Sequence, residues 1–182
     1  AAAGFSIVQW TGTGSAAHKV GHGLSATPEW FMMKDMTEAG GWNCTHVSLA
    51  SNEGIGLNSN AGAYTSMGNN GGVIKSNLGA TTFGFTAGAQ TANSVNKSGN
   101  EYIAYCFHSV TGYSKFGTYT GNGSASGTSV ALGFEPDFLM VKRADSSSDW
   151  GMADSVRDTD GYPMNTLEAN DVGAELTSGD YR

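Results

Sequence analysis

The chain has 182 residues, of which only 14% are charged and 27 are Gly, and it carries a formal net charge of −7 at pH 7. Neutralising a phosphate backbone needs clustered Lys and Arg, but the nine basic residues here are scattered and only Lys142 and Arg143 adjoin, which excludes nucleic acid as a partner. No apolar run approaches the roughly 20 residues of a membrane helix, so membrane insertion by a helix is excluded as well.

Residues 5–11 are rich in aromatic and β-branched types and close at Gly12-Thr13-Gly14, which predicts a strand. Residues 15–27 read as a polar loop interrupted by Val20 and Leu24. Pro28 opens a second strand, ending at Lys34, in which Trp30, Phe31, Met32 and Met33 are all apolar. Both of its faces must then be covered, as in the central strand of a sandwich.

Gly40-Gly41 predicts a turn and residues 42–49 a third strand, with Trp42, Cys44 and, after a shift, Val47 and Leu49 facing inward. Residues 50–72 are the least structured stretch; Val73-Ile74 and Phe83-Gly84-Phe85 read as short strands. After a turn at Lys97-Ser98-Gly99-Asn100 comes the clearest strand, in which Ile103, Tyr105 and Phe107 alternate with Tyr102, Ala104 and Cys106. No segment sustains the i, i+3, i+4, i+7 spacing of a helix, so the fold class is all-β and the architecture a β-sandwich.

The chain then repeats itself. Gly112-Tyr113-Ser114-Lys115-Phe116-Gly117-Thr118-Tyr119-Thr120-Gly121-Asn122-Gly123 respells Gly4-Phe5-Ser6-Ile7-Val8-Gln9-Trp10-Thr11-Gly12-Thr13-Gly14. Further on, Pro28, Lys34 and Trp42 return as Pro136, Lys142 and Trp150, each displaced by 108 residues. This predicts two homologous β repeats, 1–108 and 109–182, packed as one body, with the second incomplete at its C-terminal end. At that displacement residue 182 corresponds to residue 74, and residues 75–107 have no counterpart. The expectation is a piece of a longer polypeptide, and the opening Ala1-Ala2-Ala3 without Met suggests the same.

Candidate chemistry is sparse. His18 and His22 stand four apart, but Gly21 and Gly23 oppose a helix and no third ligand follows, so solvated loop histidines are expected and no metal site. Asp145, Asp149, Asp154, Asp158 and Asp160 crowd the region after the second central strand, yet Glu168 falls at the wrong distance from Asp158 for a calcium loop. Glu29 and Asp137 occupy equivalent positions after Pro and are the carboxylates a glycosidase would use, although an acid at a strand entrance is explained more simply by the turn. No nucleophile elbow, phosphate loop or Cys-His pair is present, so neither a catalytic residue nor a cofactor is assigned. Cys44 and Cys106 read as small buried thiols, with a disulfide the alternative. Trp10, Trp42, Tyr119 and Trp150 offer ring faces for sugars, but their recurrence favours core packing. If a glycan is bound, the loops that differ between the copies, 15–26 and 50–72, are where to expect it.

Residues 112–123, preceded by Glu101-Tyr102-Ile103-Ala104-Tyr105-Cys106-Phe107-His108, resemble an uncharacterised β-domain family common in marine phages, especially cyanophages. Val20-Gly21-His22-Gly23-Leu24, Pro28, Trp42 and Trp150 fit the same pattern, so the resemblance covers nearly the whole chain. It implies a tail-fibre or other virion structural module on the particle surface that contacts other virion proteins, copies of itself and a host-surface glycan. It carries over no catalytic residue. The alternatives are a glycan-degrading enzyme using Glu29 or Asp137, and a cellular lectin-like adhesin.

Overall fold

The computed structural model describes residues 3–50, 53–64, 78–85, 95–124, 126–158 and 165–177. It is all-β, and its main body is a sandwich. Seven strands belong to the first part of the chain: β1 (Phe5–Thr11), β2 (Lys19–Gly21), β3 (Trp30–Asp35), β4 (Asn43–His46), β5 (Ile55–Gly56), β6 (Thr82–Gly84) and β7 (Glu101–Phe107). Three follow later, β8 (Phe138–Val141), β9 (Gly151–Asp154) and β10 (Leu167–Glu168). The strands form a five-stranded sheet in the order β1-β7-β3-β4-β5, a two-stranded sheet β2-β6, and a three-stranded sheet β10-β9-β8.

Alternation in β7 determines the layering. Tyr102, Ala104 and Cys106 point to one face and are fully buried, together with Trp10 of β1 and Phe31 and Met33 of β3. The β2-β6 pair covers that face through Val20 and Phe83, and Leu24, Phe85 and Val95 complete the core. The Trp10 ring stacks on Tyr102 at 5.3 Å and meets Phe83 edge-on at 5.6 Å, while its Nε1 donates to the Val95 carbonyl at 3.2 Å. Each such aromatic, fully buried, contributes on the order of 1.5–3 kcal/mol relative to exposure. Close packing also explains Gly12, where a Cβ would lie 2.0 Å from the Lys97 carbonyl oxygen.

β1, β3 and β7 fall where the sequence places them. Two expectations change. The loop over residues 15–27 contains β2, because Val20 pairs opposite Phe83 and buries its side chain. The third strand stops at His46, with Asn43 and Thr45 on the face of Phe31 and Met33, whereas Val47 is exposed and Leu49 half-buried. The expected strand at Val73-Ile74 lies outside the described residues.

Cys44 pairs opposite Met32, and Cys106 opposite Phe31 on the next residue of the same strand. Consecutive residues face opposite sides of a sheet. The two thiols are thus separated by the sheet itself, and both are free and buried.

The outer face of the large sheet meets the second part of the chain. Trp150 packs edge-on against Trp30 at 5.8 Å, and its Nε1 donates to the Gly56 carbonyl at 2.9 Å. Backbone bonds from Ala63 N to Ala144 O (2.7 Å) and from Ser148 N to Asn60 O (2.8 Å) hold the same contact. A Cβ on Gly62 would lie 2.9 Å from the Ala144 oxygen, so the backbones touch there.

The β8-β9 hairpin has the register of β3-β4 displaced by 108 residues: Trp30↔His46 and Met33↔Asn43 become Phe138↔Asp154 and Val141↔Gly151. The turn bonds move with it, Val47 N to Glu29 O and Ser155 N to Asp137 O each measuring 2.9 Å. At β10 the displacement becomes 112, since Cys44↔Ile55 corresponds to Met152↔Leu167. Gly4 and Gly112 likewise share a positive φ of 64° and 72°. Residues 115–122, which the letters of the sequence match to β1, belong to no strand, whereas β1 pairs with β7.

Two outcomes follow from this packing. Burial pushes both thiols up to about 12, against weaker lowering by the Leu57 backbone at Cys44 and the Ser6 hydroxyl at Cys106. An alkylating reagent at pH 8 should therefore leave both unmodified in the native protein and label two per chain in denaturant, as read by mass spectrometry. Asp35 is buried; desolvation alone would raise its carboxyl, but Asn100 Nδ2 at 2.7 Å and the backbone N–H groups of Glu38 and Thr37 outweigh this and hold it below 3.8. A carboxyl lowered on folding stabilises above its unfolded value, and that contribution is lost as pH falls through the folded one. Asp35→Asn should cost about 1–3 kcal/mol at pH 7, and the difference from the parent chain should shrink below pH 3.8 in urea titrations.

Candidate functional site

An open groove of about 320 Å³ is lined by Trp42 and by two loops that serve as its walls, Leu57-Asn58 following β5 and Ala169 to Val172 following β10. Trp42 is half-buried, its ring 6.0 Å from Tyr105 on the outer face of the large sheet.

The walls are tied down by one bond made twice. Asn58 Oδ1 accepts from the Trp42 backbone N–H at 2.9 Å, and Asn170 Oδ1 accepts from the Trp150 N–H at 2.7 Å. Asn170 Nδ2 also donates to Asp149 Oδ1 at 2.6 Å, fixing the amide orientation. The two Trp–Asn pairs are separated by 108 residues at Trp and 112 at Asn. That change of offset hides the asparagines from a search at one displacement. Asp171 and Val172 are exposed on the rim, Val172 fully. The arrangement joins a flat apolar ring, carboxamides and a carboxylate, which suits a ligand with an apolar face and hydroxyl edges.

The four aromatic positions separate. Trp10 and Trp150 are in cores, Tyr119 is exposed away from any strand, and Trp42 alone of them lines the groove. Of the two variable loops, 50–72 supplies Leu57 and Asn58, while 15–26 supplies β2 and the core residue Leu24.

The histidines are not a solvated pair. His22 is completely buried; its Nδ1 accepts from Leu24 N at 3.1 Å and its Nε2 lies 3.1 Å from the Gly79 oxygen. These partners require the tautomer protonated on Nε2, so His22 serves as a bridge between two loops. His18 Nδ1 instead contacts Asn96 Oδ1 at 3.0 Å. Among the described residues no three His, Cys, Asp or Glu side chains gather as a metal site would need.

The carboxylates are engaged in hydrogen bonds and ion pairs. Glu29 Oε2 accepts from Ser109 N, and Asp137 Oδ1 from the Ser155 hydroxyl at 3.0 Å, each at a strand entrance. Arg157 bonds Asp154 Oδ2 at 2.7 Å and Glu175 Oε1 at 2.8 Å, and these contacts raise the guanidinium and lower the Asp154 carboxyl. Asp158 accepts from Asn165 N at 3.1 Å, Asp145 pairs with Arg143, and Asp160 lies outside the described residues. Also among the described residues, no helix is long and apolar enough to cross a membrane.

The chain belongs to the family described as Domain of unknown function (DUF7483), whose model matches residues 1–182. No curated protein and no solved structure matches it.

Truncating the buried imidazole tests its bridging role. His22→Ala leaves Leu24 N and Gly79 O without their partner and opens a void, which should lower stability by roughly 2–4 kcal/mol in chemical denaturation.

Proposed function

We propose that this member of the family is a non-catalytic structural and recognition module of a phage particle, and that it holds a host-surface glycan in the Trp42 groove. The single observation behind the binding role is a half-buried Trp42 that lines one groove together with Asn58, Asn170 and Asp171. A pyranose ring presents an apolar face to an aromatic side chain and hydroxyls at its edge. Trp42 supplies the first surface and the carboxamide and carboxylate groups the second.

The virion setting rests on the resemblance of residues 101–123 to marine-phage domains. Composition supports it. With 14% charged residues and 27 glycines, the chain covers its surface with Ser, Thr and Asn, which suits exposed assemblies that pack against copies of themselves and other virion proteins. Recognition through a groove between loops needs no acid-base pair. Glu29 and Asp137, the carboxylates a glycosidase reading would use, each bond the segment that leaves the neighbouring strand, Ser109 after β7 and Ser155 after β9.

The test is binding of the chain to immobilised bacterial surface polysaccharides by surface plasmon resonance. The parent chain should bind, and Trp42→Ala should weaken binding about tenfold or more, since a lost stacking contact of about 1.4 kcal/mol is a factor of ten. Thermal unfolding measured beside it separates a lost contact from a lost fold. No binding by the parent, or equal binding by a folded Trp42→Ala chain, sinks the proposal.

A further inference from the structure

Outward side chains of the large sheet continue the line of the groove. β7 sends Tyr105 and Phe107 to the face opposite the core, and β1 sends Phe5 and Ile7 to the same face. On that face Trp150 packs against Trp30, whereas Phe5 is 38% exposed and Ile7 53%. The Trp42 ring stands 6.0 Å from Tyr105, and Tyr105 stands 6.4 Å from Phe5 with the two ring planes 12° apart. Phe107 lies 4.8 Å beyond Phe5, and Phe116 packs against it at 5.5 Å, which ends the row. The rings of Trp42, Tyr105 and Phe5, each half-buried or exposed, thus cross the sheet from the start of β4 over β7 to β1.

We infer that the groove is the first subsite of an extended glycan site, in which Tyr105 and Phe5 are the next two stacking positions and the ligand is a polysaccharide chain several units long, not a single terminal sugar. This rests on the glycan reading of the Trp42 groove and adds to it the length and course of the ligand. Three observations choose the occupant. The row begins at the ring that lines the groove, so the exposed face is continuous with that site. Successive rings are 6.0 and 6.4 Å apart, on the scale of the advance per sugar along a polysaccharide, so each ring meets a successive unit. The row offers ring faces, an indole N–H and a phenol hydroxyl and carries no charged side chain, which matches the apolar faces and hydroxyl edges of linked pyranoses. An exposed apolar patch on a sheet face marks an interaction surface. A chain held at Trp42 reaches the next two rings as an intramolecular step, so weak single contacts add to a firm grip.

Ligand length separates the two readings. The polysaccharide that binds in the surface plasmon resonance measurement is hydrolysed and sorted by size, and each fraction competes with the immobilised polymer. Affinity should rise at least about tenfold from one sugar unit to four, because each further unit adds a contact to a ligand already held. Tyr105→Ile and Phe5→Leu keep an apolar residue in the strand and remove only the ring. Each should weaken the four-unit fragment roughly fivefold and leave the single unit unchanged, with thermal unfolding showing that the fold is kept. Two results overturn this inference while the groove reading stands, Trp42→Ala still being weakened. One is a single unit that competes as well as four; the other is folded Tyr105→Ile and Phe5→Leu chains that bind four units as the parent does. No binding by the parent, or equal binding by a folded Trp42→Ala chain, overturns both. A chain that sediments as a dimer, with Phe5→Cys copies cross-linking to each other, also overturns it, since a second copy then covers the row.

Discussion

The double pairing of β7 is the constraint on which the rest of the structure depends. One strand must bond β1 on one side and β3 on the other. In doing so it sends Tyr102, Ala104 and Cys106 into the core and leaves Ile103, Tyr105 and Phe107 for the outer face. β1 and β7 are far apart in sequence, so their pairing carries a large closure entropy, a cost repaid by the aromatic core it completes. Among the described residues no strand pairs with the outer side of β8, and Leu139, the counterpart of the buried Phe31, is exposed there.

Around that strand the polar groups are paired rather than removed. Asn100 donates to Asp35, Lys97 N donates to the Tyr102 hydroxyl at 3.0 Å, and Asn96 accepts from Thr13 N at 3.0 Å. Each bond ties a loop to a strand end. A buried polar atom without a partner costs about 1–3 kcal/mol, so these loops have few alternative conformations. His22 works in the same way, one imidazole joining the loop of Leu24 to Gly79. A chain poor in charge thus builds rigidity from amides, hydroxyls and imidazoles.

The tryptophans show how one chemistry acquires two uses. Trp42 and Trp150 occupy counterpart positions, and each has its backbone N–H held by an asparagine side chain. Trp150 turns into the contact between the two parts of the chain and donates to Gly56. Trp42 faces the groove between the two loops. Their identity and local bonding match; only what lies against them differs.

From the sequence alone, the all-β class follows, as do β1, β3 and β7, because long runs of β-branched and aromatic residues with alternation or full apolarity are local signals of a strand. The matching of Pro28, Lys34 and Trp42 with Pro136, Lys142 and Trp150 is equally legible, since it needs only comparison of letters. The short strands β2, β5 and β10 are not legible. Two or three residues carry no periodicity, and Val20 becomes a strand residue only because Phe83 lies opposite. Whether Cys44 and Cys106 meet, whether His22 is solvated, and which tryptophan faces a groove were likewise decided by the tertiary structure. Each depends on which face of a sheet a residue takes and what covers that face, and those are set by contacts between residues remote in the chain.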